Sequence, residues 1–164
     1  MDTINLRPYA PADAAAINAL AVSAFAQFES AYSDWPGFNN KIGAMSALSA
    51  HGEIIIAERN AQLVGAVAYI GPHQIKSAFF DPAWPIMRML VVAPEARGLG
   101  VGRALAHACI DCARRDQAPV FALHTSALMS VALPMYQRMG FTWHADAPDI
   151  HGVAYSIYLK RLAR

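Results

Sequence analysis

The chain has 164 residues, of which 55% are hydrophobic and only 15% charged, a balance that excludes a disordered chain and allows one domain with a sizeable core. The net charge is +1 and its Lys and Arg are scattered, so no bulk field recruits nucleic acid. No apolar run approaches the length of a membrane span, and Met1 to Asn5 show neither the basic nor the apolar segment of a secretory leader, so the expected compartment is the cytoplasm.

Ile4 to Arg7 reads as a short strand ended by Pro8, and Pro11 with Asp13 suits a helix start. Ile17, Leu20, Ala21, Ala24, Phe25 and Phe28 then recur on one helical face. Trp35-Pro36-Gly37 should break that helix, and Lys41 to Ser49 should form a second, weakly patterned one. Glu53 to Glu58 and Leu63 to Ile70 are apolar strands joined by a turn over Arg59 to Gln62. A long, proline-containing loop over Gly71 to Pro85 leads to a strand at Ile86 to Val92.

The next helix is expected over Val101 to Asp116. Val101, Ala104, Leu105, Ala108, Cys109 and Cys112 would face a sheet, and Arg103, His107, Asp111 and Arg114 would face water. Cys109 and Cys112, the two cysteines of the chain, form a C-x-x-C deep in this pattern. They sit away from the helix N-terminus, where a thiolate would be stabilised, and no second pair completes a zinc site. They are read as small apolar residues, and no metal is expected. Pro119 precedes a strand at Val120 to Thr125. Ala127 to Met139 should be helical, disturbed mid-way by Pro134 and ended by Gly140. Phe141 to His144 and Val153 to Lys160 complete the strands, with turn-rich Asp146 to Gly152 between them.

The stretch with chemical meaning is Arg97-Gly98-Leu99-Gly100-Val101-Gly102. Strand, glycine-rich turn and helix start, in that order, make an anion site. Glycine lets the backbone approach a ligand closely, and the first helical N–H groups have no partner within the helix. A phosphate is the usual guest. A phosphate-binding P-loop is excluded, because Gly102 is followed by Arg103-Ala104 and not by Lys and a hydroxyl residue. A dinucleotide fingerprint also fails, because Arg103 or Leu105 falls where the third glycine belongs.

The spacing instead resembles the GNAT superfamily of acyl-CoA-dependent N-acyltransferases. The family's cofactor loop reads Gln/Arg-x-x-Gly-x-Gly/Ala after a strand, as in Arg97-x-x-Gly100-x-Gly102 after Val92-Ala93-Pro94-Glu95-Ala96. A second signature, Tyr-x-x-x-Gly-Phe after a strand and short helix, is matched by Tyr136-Gln137-Arg138-Met139-Gly140-Phe141. The match runs from Ile86 to Phe141, about a third of the chain. It implies an α/β fold: one GNAT-like domain over residues 1–164, with a mixed sheet of about six to seven strands, splayed at the cofactor strand, and about four helices. It also implies acetyl-CoA as co-substrate and transfer of acetyl to a primary amine of a small molecule or peptide, by direct attack. A non-catalytic acyl-CoA-binding sensor or structural module is the alternative.

Residue by residue, the resemblance implies that backbone N–H groups from Gly98 through Leu99, Gly100, Val101 and Gly102 to Arg103 hold the pyrophosphate. Arg97 and Arg103 would add charge-assisted contacts, although Arg97 could equally be a solvated surface residue. Leu90, Val91 and Val92 would pair their backbone with the pantetheine arm, and an N–H near Leu90 or Val91 would polarise the thioester carbonyl. Tyr136 would protonate the leaving thiolate, being neutral near pH 7; the competing reading is an amphipathic helical tyrosine. His124 stands where some relatives carry a basic carboxylate, so it is a candidate base or a hydrogen-bonded strand-end histidine, with Glu29 and His73 as further candidates. Met129 departs from the asparagine that many relatives place there. Phe25, Phe28, Tyr32, Trp35 and Phe38, together with Phe79, Phe80 and Trp84, crowd two segments. Core packing accounts for the first two; the others suggest an apolar acceptor pocket or an oligomer contact such as a homodimer.

Overall fold

The computed structural model describes residues 3–162. Within them the chain runs β1 (Ile4–Pro8), α1 (Ala14–Phe25), α2 (Trp35–Ile42), β2 (Glu53–Arg59), β3 (Gln62–Ile70), β4 (Ile86–Val92), α3 (Val101–Arg115), β5 (Val120–Thr125), α4 (Ala132–Arg138), β6 (Thr142–Ile150) and β7 (Val153–Arg161). The seven strands form one sheet ordered β1-β2-β3-β4-β5-β7-β6. Every neighbouring pair is antiparallel except β4 and β5, which are parallel. The order of strands and helices is the one expected from the sequence, and the α/β class holds.

β3 is the spine. From Val64 to Ile70 each of its residues is buried, which requires cover on both faces, and α1 and α3 both pack on it. Helix α3 comes very close at Gly65, where an added Cβ would lie 2.7 Å from Val101 Cγ1, so no side chain fits there without moving the helix. The buried set of α1 is Ile17, Leu20, Ala21 and Ala24. Phe25 and Phe28 are only partly buried, because the α-helix ends at Phe25 and continues as a 3-10 turn over Ala26–Ala31.

Several elements differ from expectation for identifiable reasons. Trp35-Pro36-Gly37 does not break a helix; it starts one. Asp34 caps α2 by accepting from the Gly37 N–H at 3.1 Å, and a proline in the first turn sacrifices no helical hydrogen bond. The expected helix over Lys41 to Ser49 is thus the end of α2 plus a 3-10 segment, Met45–Ala50. Helix α4 begins at Ala132 and not at Ala127, so Pro134 lies in its first turn. The buried face of α3 is rotated from the expected one: Ala106, Ile110 and Ala113 are inside, whereas Ala104, Ala108 and Cys112 are only partly covered. The supposed loop over Asp146 to Gly152 is mostly strand, and only His151 and Gly152 form the turn, both with positive φ. Pro148 misleads there, because β6 is an edge strand and tolerates a missing N–H; the register with β7 shifts between Ala147 and Ile150.

Candidate active site

Strands β4 and β5 touch at one end only. Ile86 pairs with Ala122, the Ala122 N–H donates to the Pro85 carbonyl at 3.0 Å, and no further register pair joins the two strands. β4 also carries a bulge. Val91 pairs with Ala66 and Arg88 with Ala68, so Met89 and Leu90 together oppose Val67, and Met89 takes φ 58°. An extra residue at that point frees backbone groups from the ladder. Two adjoining cavities open along the split, of about 390 and 280 Å³. Phe25, Leu90, Met129 and Ala132 line both, so the cavities meet at the bulge.

The larger cavity is built mainly from backbone. Gly98 and Gly100 have φ 79° and 84°, and a Cβ on either would meet nothing within 4 Å. Their conformation, not crowding, demands glycine. Among the described residues, no N–H from Gly98 to Arg103 donates to a backbone carbonyl; the first helical bond of this region is Ala104 N–H to Gly100 O at 3.0 Å. α3 also has no side-chain N-cap. A run of unpaired donors at a helix start suits a phosphate group. Arg97, Arg103 and Arg138 line this cavity and no carboxylate does. Arg97 also donates to the Ala24 carbonyl at 3.4 Å, tying the loop to α1. Leu90, Val91 and Val92 line the cavity, as do Val101 and Gly102; Leu99 does not, its side chain being 46% exposed. Sequence reasoning missed Arg138, although it lies inside the Tyr-x-x-x-Gly-Phe stretch.

That stretch has a plain structural origin. Gly140, with φ 97°, lies just past the end of α4. Its N–H donates to the Gln137 carbonyl at 3.1 Å, and the Phe141 N–H reaches back to the Tyr136 carbonyl at 3.0 Å. These two bonds make a Schellman cap, which brings the residue after the glycine onto the residue three before the helix end. Accordingly the rings of Tyr136 and Phe141 meet edge to face at 5.9 Å. The spacing therefore fixes the tyrosine ring, and Tyr136 lines the smaller cavity while otherwise buried. Its hydroxyl makes no hydrogen bond with any described residue. Burial, and then the nearby Cys109, raises its pKa, so it is a neutral donor at physiological pH.

The smaller cavity is built from side chains. Phe38 and Ile42 come from α2, Met45 and Leu48 from the 3-10 segment, Arg88 and Leu90 from β4. His124, from β5, lines it too, with its ring against Phe79, Phe80 and Tyr155 at centroid distances of 5.3, 5.7 and 5.3 Å. This packing strips water from the imidazole and, with the charge of Arg88, lowers its pKa to about 4. The Tyr155 hydroxyl shares a 2.6 Å hydrogen bond with that of Tyr32. Glu29 and His73, the other candidate bases, are exposed and line neither cavity. The crowded aromatics divide into three groups: Phe25, Phe28, Tyr32, Trp35 and Phe38 pack together, Phe79 and Phe80 buttress His124, and Trp84 packs on His144. Cys109 and Cys112 are free thiols with raised pKa, through burial first. No group of three or more His, Cys, Asp or Glu among the described residues is arranged to hold a metal, and none of their helices is long and apolar enough to cross a membrane.

The model of the Acetyltransferase (GNAT) family matches residues 11–141. The chain belongs to this GNAT family. Over 96 residues it is 32% identical to N-acetyltransferase 8F1 of Rattus norvegicus, which covers 58% of this chain and 42% of that protein. The chain spans less than half the length of the curated relatives it matches. Among solved structures, a GCN5-related N-acetyltransferase from Rhodopseudomonas palustris superposes with TM-score 0.77 at 24% identity, covering 99% of this chain and 98% of the other. A GNAT family acetyltransferase from Elizabethkingia anophelis, solved with acetyl-CoA bound, superposes with TM-score 0.65 at 16% identity, covering 99% and 100%. The splayed seven-stranded sheet is thus the GNAT fold.

Proposed function

We propose that this GNAT protein is a single-domain, cytoplasmic N-acetyltransferase that moves acetyl from acetyl-CoA to a primary amine of a small molecule or peptide. One observation carries the reading: a cavity of unpaired backbone donors and arginines meets a second, side-chain-lined cavity at the β4 bulge, with Tyr136 at the second cavity's wall. The residues fit the co-substrate. Positive-φ glycines leave open space where a pyrophosphate would lie, and three arginines supply countercharge. Acetyl-CoA supplies an activated thioester when bound.

The chain's own groups would then act as follows. The backbone of Leu90 to Val92 aligns the donor along β4. An N–H near Leu90, released from the ladder by the bulge, donates to the carbonyl oxygen of the thioester and favours charge developing there. A neutral amine in the smaller cavity attacks the carbonyl carbon as the carbon–sulfur bond breaks. The Tyr136 hydroxyl gives its proton to the departing sulfur, the nitrogen of the new amide loses its extra proton to water, and the phenol regains a proton from water. His124 is held neutral, so it can accept a hydrogen bond from the amine. Its burial also makes it a weaker base than free imidazole, so the pH of the medium supplies most of the free amine.

The test is thiol release from acetyl-CoA in the presence of amino acids, polyamines, aminoglycosides and peptides. Amine-dependent release that Gly100→Asp removes is expected. Tight acetyl-CoA binding without release by any amine would instead favour a sensor or structural module.

A further inference from the structure

Beyond its effect on His124, Arg88 has no role in the account above. It lies on β4, two residues before Leu90, and lines the smaller cavity. Its guanidinium makes no hydrogen bond or ion pair with any described residue. Arg88 is an exposed residue whose side chain meets water at the cavity, and neighbouring protein lowers its pKa by partial desolvation. A guanidinium that faces a cavity and makes no contact with a protein acceptor has all its donors available to water or to a ligand. The Lys41 ammonium, the other full cation lining this cavity, likewise makes no hydrogen bond or ion pair with any described residue, and no Asp or Glu lines the cavity.

Building on the transferase reading, we propose that the acceptor is a small amine bearing a carboxylate, a free amino acid with an apolar side chain, and that Arg88 recognises the carboxylate. Arginine's fork of donors matches a carboxylate in bidentate fashion. Arg88 and Val91 lie opposite Ala68 and Ala66, two residues apart on β3, so roughly 7 Å of strand carries the chain from Arg88 past Leu90, and the anion and the attacking amine can belong to one small molecule. The cavity measures about 280 Å³, at the small end for ligand sites. Phe38, Ile42, Met45 and Leu48 make its far wall apolar. Polyamines meet two cations and no carboxylate, and a peptide N-terminus presents an amide where Arg88 expects an anion.

Two measurements on the full chain test this. The first is kcat/KM for L-methionine, L-leucine and L-phenylalanine against the corresponding amino-acid amides, corrected to the neutral amine. The acids should exceed the amides by about 10- to 100-fold, the range for a hydrogen bond to a charged group. Arg88→Met should remove the preference, and Arg88→Lys should keep part of it. The second is calorimetric binding of N-acetyl-L-methionine and its amide to protein saturated with CoA, which needs no turnover. Preference for the acid that vanishes in Arg88→Met, with CoA binding and circular dichroism intact, supports the proposal. Equal binding of acid and amide, or an unchanged preference in Arg88→Met and Arg88→Gln, overturns it. If amides or polyamines are the better substrates, the carboxylate assignment falls while the transferase stands. If CoA itself fails to bind, the transferase reading falls.

Discussion

The two cavities share one wall and are made in opposite ways. The larger takes its shape from main chain: left-handed glycines, an uncapped helix start and a strand edge released by a bulge. The smaller takes its shape from side chains on α2, the 3-10 segment, β4, β5 and β7. A main-chain site serves a ligand that never changes, since peptide donors and φ angles cannot be tuned. A side-chain site can be respecified one residue at a time without disturbing its neighbour. On the proposed function, donor chemistry and acceptor identity are thereby separated within a single split in one sheet.

The largest effect should come from breaking the main-chain half alone. Gly100→Asp puts a negative charge where the proposed function places the donor's phosphates, so calorimetry should find acetyl-CoA binding abolished. The smaller cavity should still bind an N-acetyl amino acid, and unchanged acetyl-CoA affinity would show that the loop is not the site. Next is the boundary between the halves. Tyr136→Phe should lower kcat by roughly 10²-fold where chemistry limits the rate. Because the hydroxyl has no hydrogen bond to lose and the ring contact with Phe141 remains, Tm should not fall. A wild-type kcat would return Tyr136 to a packing role.

The side-chain half can be probed by pH. His124 has a pKa of about 4 in the folded protein, below the value of about 6.5 expected for an unfolded histidine. Between those values the unfolded state binds the extra proton, so stability should rise with pH from about 4 to 6.5 and be lost on acidification through that window. The change is a few kcal/mol at most. Urea titrations of wild type and His124→Gln should differ in slope there and nowhere else. In kcat/KM, any limb belonging to His124 should lie near pH 4, whereas a limb that follows the pKa of different acceptors belongs to the substrate. The smallest effect should come from Gly140→Ala. At φ 97° its new Cβ would meet Lys160 Nζ at 2.9 Å, and the left-handed conformation alone costs an L-residue about 1–2 kcal/mol. Thermal unfolding should register that loss, with kcat falling only as far as the tyrosine ring is displaced.

The contrast also explains what could be read from the sequence. Gly98, Gly100 and Gly140 are legible because main-chain geometry leaves a mark on residue type at fixed spacing. β4, β5 and the start of α3 were legible from apolar runs with clear stops. Arg88 was not, because an arginine in a strand has no local signature, and its meaning depends on the missing carboxylates around it. The rotated face of α3 escaped because alanines lie on both sides of it, so periodicity cannot fix the rotation. Pro36, Pro134 and Pro148 misled because proline only breaks an element where its N–H would have been used. The depressed pKa of His124 depends on Phe79 and Phe80, more than forty residues away along the chain.

The bulge in β4 has one further consequence, concerning parity. Residues opposite each other in a sheet share a face, so Val91 and Arg88, opposite Ala66 and Ala68, point the same way although they are three apart. In a regular strand an odd separation would send them to opposite faces. β4 therefore carries two phases, one on each side of Met89 and Leu90. Its second phase is locked by the close fit of α3 over Gly65, next to Val92. Deleting one of the two bulge residues would leave Arg88 two positions from Val91, the same-face separation of a regular strand, so Arg88 would still oppose Ala68 and only the backbone groups freed by the bulge would return to the ladder. The extra residue at this one point thus frees backbone in the middle of the strand while both flanking halves keep the register they would have without it.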